Sequence, residues 1–229
     1  IGASDRPDSV GKRVFENLIE SGYKGSIFVV NPGHEQVAGR QSYPSVAAVD
    51  DVVDLAVIAS PSATIPEVVR QCGERGIRAA VVISPSPRHN SRSGLRQEKA
   101  MLDNARQYGV RLLGPDCLGL MRPGIGLNVT NSSNRALPGR LALVSQSGAL
   151  CTTILDWALP RRIGFSAMVS LGDTADVDFG DVLDFLSTDP ETRSILLYVE
   201  GIHDARRFIS GLRAAARMKP VIVVKAGRH

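Results

Sequence analysis

The chain has 229 residues, 43% hydrophobic and 22% charged, with 27 Lys and Arg against 23 Asp and Glu for a formal net charge of +4. This composition excludes collagen-like, mucin-like and disordered chains, and the longest apolar runs are strand-sized, far short of the ~18 residues a membrane span needs. Charges of both signs are interspersed among few aromatics (5%), which argues against a nucleic-acid groove, while a small positive excess suits an anionic small molecule.

In chain order, small residues at Ile1-Gly2-Ala3-Ser4 follow the end of a strand. Ser9 then caps a helix carried by Val14, Leu18 and Ile19 and stopped by Gly22. Residues 26–30 and 55–59 read as buried strands. Pro66 opens a helix through Val68 and Cys72 that ends at Gly73 and Gly76, and residues 79–84 form the next strand. The segment 84–94, rich in Ser and Pro, is the most loop-like of the interior and is expected to be mobile unless a ligand orders it. A polar helix over 95–108 ends at Gly109, and residues 111–113 are again strand. Strands at 141–144, 166–170, 195–199 and 221–224 alternate with helices after Gly148, over 178–186 and over 204–217. Such alternation predicts an α/β protein with parallel sheets and helices on both faces. The polar stretch from Thr130 to Gly139 reads as a boundary, with about four strands on either side.

Cys72, Cys117 and Cys151 are widely spaced and odd in number, forming neither a disulfide framework nor a metal-binding pair, which favours a reducing, cytoplasmic setting. The opening residues do not read as a signal peptide, and none is expected. The chain opens at Ile1 without Met and closes with Lys225-Ala226-Gly227-Arg228-His229 directly after a strand, so both ends read as cuts in a longer polypeptide.

In an open parallel sheet ligands bind beyond the carboxyl ends of the strands, so the strand-end loops are the candidate site. Gly2, Ala3 and Ser4 lead to Ser9-Val10-Gly11 at a helix start, where backbone amides suit a phosphate. The spacing is not that of GxGxxG, and a plain turn fits equally. Asn31, Pro32 and His34 follow the next strand; no Asp or Glu stands there for a ribose, and the neutral or weakly basic groups suit an anion. Ser60-Pro61 and Ile83-Ser84-Pro85 read as cleft walls or simple turns. Gly114-Pro115 fixes a sharp loop that displays Asp116, beside a Cys117 better read as an apolar filler than as a nucleophile. Ser145-Gln146-Ser147-Gly148-Ala149 is a second anion site at a helix start, and lacks the leading Gly of a hydrolase elbow. Glu200 is an isolated strand-end carboxylate, either a surface acid or a group able to orient a histidine. No residue pattern suggests a metal site.

These loops together resemble those of the NDP-forming acyl-CoA synthetases, the superfamily of the succinyl-CoA synthetase α subunit, over essentially the whole chain. The resemblance rests on Gly2-Ala3-Ser4 with Ser9-Val10-Gly11, Val30-Asn31-Pro32, Gly114-Pro115-Asp116-Cys117-Leu118-Gly119, Val144-Ser145-Gln146-Ser147-Gly148-Ala149, Leu171-Gly172-Asp173 and Tyr198-Val199-Glu200. Within the superfamily, Ile154-Leu155-Asp156-Trp157-Ala158, Ile163-Gly164-Phe165-Ser166, Asp176-Val177-Asp178 and Asp204-Ala205-Arg206-Arg207-Phe208 look most like the bacterial proteins that fuse an ADP-forming acetyl-CoA synthetase-like region to a GNAT-type lysine acetyltransferase.

The resemblance implies a Rossmann-like CoA-binding domain over 1–133 and a flavodoxin-like domain, incomplete, over 139–229. In active members phosphate attacks the acyl-CoA thioester, and the acyl phosphate phosphorylates a histidine that passes the group to ADP on an ATP-grasp region. By position, Gly2, Ala3, Ser4, Ser9, Val10 and Gly11 would meet CoA. Asn31, Pro32 and His34 would join them, and Ser60, Pro61, Ile83, Ser84 and Pro85 would line the channel. Asp116 and Ser145 to Ala149 would stand at the phosphate, and Glu200 would orient the phosphohistidine. Asp116 replaces the Asn common in relatives, and Pro85-Ser86-Pro87-Arg88-His89-Asn90 replaces a Gly-rich or acidic loop. The phosphohistidine motif and the ATP-grasp region, with ADP, ATP and Mg, are expected outside this chain; His229 is not given that role. The alternatives are a CoA-sensing regulatory module of an acetyltransferase whose ligase chemistry is lost, and an unrelated nicotinamide-dependent oxidoreductase.

Overall fold

The computed structural model describes residues 1–87 and 92–227. Arg88 to Ser91, inside the loop expected to be mobile, and Arg228 and His229 lie outside the described residues.

The amino-terminal half has two three-stranded groups, all parallel except the antiparallel pair of residues 36–37 with 40–43, and helices α1 (Val10–Glu20), α2 (Ile65–Glu74) and α3 (Arg92–Tyr108). Strands β1 (Val29–Val30), β3 (Arg40–Tyr43) and β2 (Gln36–Val37) form one group, and β4 (Leu55–Ile58), β5 (Ala79–Val82) and β6 (Arg111–Leu113) the other. Residues 1 and 2 join the groups. The Ile1 amine donates to Val57 O (2.7 Å), Ala59 N to Ile1 O (2.9 Å) and Gly2 N to Val30 O (2.8 Å). The first chain segment therefore lies centrally, with β1 on one side and β4 on the other. That is a topological switch point, where the loops after segment 1–2 and after β4 diverge and leave a crevice.

The second sheet has the order β12-β11-β9-β10-β7-β8. Strands β9 (Leu137–Ser145), β10 (Gly164–Ser170), β11 (Ser194–Val199) and β12 (Val221–Lys225) are parallel, with helices α4 (Gly148–Ala158), α5 (Phe179–Thr188) and α6 (Ala205–Met218) between them. The hairpin β7 (Gly119–Arg122) and β8 (Leu127–Thr130) joins antiparallel to β10, Met168 opposite Met121.

This hairpin has no counterpart in the strands read from the sequence, and it places residues 119–130 in the second sheet, ahead of the boundary expected between Thr130 and Gly139. It also holds α1, whose Asn17 Nδ2 donates to Thr130 O (2.8 Å) and Ser132 O (2.7 Å). One buried core runs through both halves, from Val14, Val81 and Leu113 through Val129 to Val144, Leu183 and Leu197. The strand expected over 26–30 is short because only Val29 and Val30 find partners, opposite Ser42 and Tyr43. The strand expected to reach residue 84 stops at Val82, because Ile83 N and Ser84 N both turn to Ile58 O (2.9 and 3.3 Å).

Helix starts follow capping chemistry. Ser9 accepts from Lys12 N, Ser147 from Leu150 N, and Asp204 from Arg207 N; Asp178 and Asp181 form a capping box. Among the described residues no helix is long and apolar enough to cross a membrane.

Candidate functional site

The first crevice is built on the loop from Gly2 to Ser9. Gly2 has φ +83°, and a Cβ there would lie 2.8 Å from the Ala59 carbonyl carbon and Ser60 N. A Cβ on Gly11 would run into the Gly2 carbonyl oxygen and sit 2.9 Å from its carbon. The first turn of α1 thus rests directly on the loop, a backbone-lined cradle that any side chain at Gly11 would fill. The amides of Val10 and Gly11 precede the first intrahelical hydrogen bonds. Ala3 and Ser4 are buried beneath them, with Ser4 Oγ accepting from Arg6 N (3.1 Å).

Asn31, expected beside CoA, is hydrogen-bonded to two loops. Its Nδ2 donates to Ala3 O (2.7 Å) and its Oδ1 accepts from Gly33 N (2.9 Å), so its amide braces both. Pro32 and His34 are exposed on the rim. Ser60, Ile83 and Ser84, expected to line the channel, lie at the ends of β4 and β5. All three are buried; Ser60 Oγ pairs with Thr64 Oγ1 (2.8 Å), and Ser84 Oγ donates to Ser60 O (2.5 Å). They tie the ends of β4 and β5 together beneath Pro61 and Pro85, whose exposed rings form the wall. Ser62 Oγ completes the tie by donating to Pro85 O (2.9 Å).

The two halves meet at the loop after β6. Asp116 N donates to Ser84 O (3.0 Å), Asp173 N to Pro115 O (2.9 Å) and Leu118 N to Ser170 Oγ (3.0 Å). Asp116 is exposed with φ +56°. Cys117 is buried, donates to Val82 O (3.3 Å), and burial pushes its thiol up to about 12. That matches the apolar-filler reading and leaves no thiolate for nucleophilic attack. Across the same seam, Arg111 pairs with Asp176 (3.0 Å) and Asp181 (3.1 Å), and Asp176 also accepts from Leu112 N (2.7 Å). Among the described residues, Ser86 Oγ and Thr174 Oγ1 are buried without a hydrogen-bond partner.

The second crevice lies at the start of α4. Ser145 Oγ accepts from Ser147 N (3.0 Å) and donates to Ser147 O (2.9 Å), closing a tight loop. Ser147 caps the helix, so the amides of Gly148 and Ala149 are left without intrahelical acceptors. Gln146, expected at the phosphate, reaches across to the end of β11. Its Oε1 accepts from Glu200 N (2.7 Å) and Gly201 N (2.9 Å), and its Nε2 donates to Gly201 O (2.9 Å). Its backbone N donates to Tyr198 O (3.2 Å). Every polar hydrogen-bonding group of Gln146 except its carbonyl is thus drawn toward the end of β11, away from an anion at α4. The Glu200 side chain is exposed at this end of the sheet.

Lys225, unremarked in the sequence, donates from Nζ to Glu200 O (3.1 Å). Its position at the end of the strand beside β11 is the signal that could have marked it. Among the described residues no group of three or more His, Cys, Asp or Glu could hold a metal ion. A cavity of about 290 Å³ under α1, lined by aliphatic side chains such as Val14, Leu18, Val29 and Leu55, also reaches residues at the amino ends of β1 and β4, away from Glu200 and α4.

Comparison with known proteins adds to this geometry. A family model described as a CoA binding domain matches residues 1–123, and one described as a succinyl-CoA ligase-like flavodoxin domain matches residues 138–229. The chain is 41% identical over 232 aligned positions to the α subunit of acetate–CoA ligase (ADP-forming) I of Pyrococcus furiosus, covering 100% of this chain and 50% of that one. A crystal structure from Pyrococcus horikoshii superposes with a TM-score of 0.94 at 37% identity, over 99% of this chain and 52% of that one. The dinucleotide-forming acetyl-coenzyme A synthetase 1 of Candidatus Korarchaeum cryptofilum, in complex with phosphate and ADP, superposes with a TM-score of 0.92 at 38% identity, over 100% of this chain and 49% of that one. The chain spans about half the length of each of these three proteins.

Proposed function

This chain belongs to the family of CoA-binding, succinyl-CoA ligase-like proteins that includes ADP-forming acetate–CoA ligase α subunits, and we propose that it is the CoA- and phosphate-binding part of an ADP-forming acyl-CoA synthetase. The observation that carries the reading is the pair of capped helix starts, Ser9 with α1 and Ser147 with α4. Both open at the carboxyl ends of strands and are joined through the Ser84–Asp116 and Pro115–Asp173 hydrogen bonds. Each start offers unpaired amides and the positive end of a helix dipole to an anion.

In this reading Ser9, Val10 and Gly11 hold a phosphate of CoA above the floor of Gly2, Ala3 and Ser4. His34 and Pro32 form the rim, and Pro61 and Pro85 the wall. The amides of Gly148 and Ala149, with the Ser147 hydroxyl, hold inorganic phosphate. A phosphate oxygen attacks the thioester carbonyl carbon, the C–S bond breaks, and CoA leaves as an acyl phosphate forms. The phosphoryl group passes to a histidine outside this chain and then to ADP, giving acid, CoA and ATP. The Glu200 carboxylate accepts the ring N–H of that histidine and orients it. Asp116 adds negative charge beside the phosphate site and disfavours a second anion there.

The nucleotide and Mg belong to an ATP-grasp partner domain or subunit. Three buried free cysteines fit a reducing, cytoplasmic setting. The finer placement beside a GNAT acetyltransferase rests on the sequence segments alone. The test is ATP formation from acetyl-CoA, phosphate and ADP by the complete protein with its ATP-grasp region. ATP formation that requires Glu200 supports the reading. CoA binding without ATP formation overturns it in favour of a CoA-sensing module.

A further inference from the structure

We infer that Gln146 is a positioning residue that sets the place of Glu200 and locks it to the phosphate loop; this rests on the synthetase reading above. The sheet order β12-β11-β9 brings the carboxyl ends of these three strands side by side. Gln146 follows β9, Glu200 follows β11 and Lys225 ends β12. From one flank, Gln146 Oε1 accepts from the two successive amides of Glu200 (2.7 Å) and Gly201 (2.9 Å), while Nε2 donates to Gly201 O (2.9 Å). From the other flank, Lys225 Nζ donates to Glu200 O (3.1 Å), and Ala226 N donates to Val199 O (2.9 Å).

The main chain at Glu200 is therefore held on both sides, while its carboxylate stays exposed and free to act on a histidine. Gln146 also lies between Ser145, whose hydroxyl closes the phosphate loop, and Ser147, which caps α4. One side chain thus makes the phosphate cradle and the Glu200 turn a single unit. Only a side chain with both an acceptor and a donor at this reach satisfies the two amides and the carbonyl together. Leucine at this position satisfies none of the three groups. Glutamate keeps the acceptor but turns oxygen against oxygen at Gly201 O.

The test is a double-mutant cycle in the complete synthetase, reading ATP formation from acetyl-CoA, phosphate and ADP. Gln146→Leu and Glu200→Gln each lower kcat, the former by on the order of 10²-fold, as a small displacement of a catalytic group does, with KM for acetyl-CoA unchanged. Their combination is no worse than roughly twofold below the lower single variant, since both remove the same contribution. Gln146→Glu, which keeps the size of the side chain, lies between wild type and Gln146→Leu and serves should the leucine variant not fold. Fully multiplicative effects, an unchanged kcat in a folded Gln146 variant, or a rise in KM for acetyl-CoA alone would overturn the assignment. A wild-type enzyme that forms no ATP instead contradicts the synthetase reading, which separates the two failures.

Discussion

Gly11 offers a sharp perturbation of the first crevice. A Cβ at this position meets the Gly2 carbonyl oxygen, lies 2.9 Å from its carbon and 3.2 Å from the Ala3 Cα. All three are backbone atoms of the loop that forms the cradle, so none can rotate away. Helix propensity favours alanine over glycine by about 1 kcal/mol. Overpacking against fixed backbone costs about 1–3 kcal/mol, and more when severe. The net expectation for Gly11→Ala is a loss of up to about 2 kcal/mol, or up to roughly 8 °C in Tm for a chain of this size. The loop relieves the clash by moving off α1, which separates it from the free amides at Val10 and Gly11. CoA affinity then falls at least about tenfold, which corresponds to 1.4 kcal/mol, and further for Gly11→Val. Gly124→Ala is the control, because nothing lies within 4 Å of a Cβ there. Calorimetric titration of CoA into the wild type and the three variants, with thermal melts alongside, measures both quantities. A folded Gly11→Ala protein with wild-type CoA affinity would refute the reasoning that the loop over α1 is the phosphate cradle.

Asp189 is buried and takes hydrogen bonds from Arg122 (2.8 and 3.2 Å) and Thr192 (2.7 Å). Burial alone would raise its pKa, but these partners together outweigh it and hold the carboxyl below the usual range. Asp189→Asn should lose about 3 kcal/mol at pH 7 by leaving Arg122 without its charge partner. Because the folded-state pKa is depressed, the pair's stabilisation is complete above the unfolded pKa of about 4 and is lost as pH falls through the folded value. The difference between wild type and variant should therefore narrow in acid melts, and a pH-independent difference would count against the pair. Asp176→Ala removes the acceptor of both Arg111 and Leu112 N. It should lower the urea midpoint more than Arg111→Ala, whose half-exposed side chain is worth no more than about 1 kcal/mol; equal shifts would contradict this. Burial raises the Cys72 thiol to about 11 and those of Cys117 and Cys151 to about 12. At pH 8 iodoacetamide should leave all three unmodified in the folded protein and label all three in urea, as read by intact mass.

How much of this was legible in the sequence follows from where the information resides. The helix at Ser9, the Pro66 start of α2 and the strand 111–113 depend on local rules of capping, fixed φ and short apolar runs between breakers, and the structure follows them. The hairpin 119–130 is short, and its strands are specified by a distant partner, β10, rather than by their own pattern. The apparent boundary after it therefore fell in a connection within one sheet. The site was legible as a set of loops because parallel-sheet topology dictates where loops gather. The roles within it were less so. Asn31, Ser84 and Gln146 carry donors and acceptors that serve a ligand or a neighbouring backbone equally well, and only the fold decides which. In all three the backbone takes the side chain. The amides that remain free at Val10, Gly11, Gly148 and Ala149 belong to the main chain and leave no mark in residue type beyond the need for small side chains.

The central claim is that the crevice at α1 takes CoA. The direct measurement is isothermal titration of the purified chain with CoA, acetyl-CoA and NADH side by side. Saturable binding of CoA or acetyl-CoA at about micromolar dissociation constant, about −8 kcal/mol, with NADH silent, is the predicted result. Binding of NADH with CoA silent would contradict the account at its base.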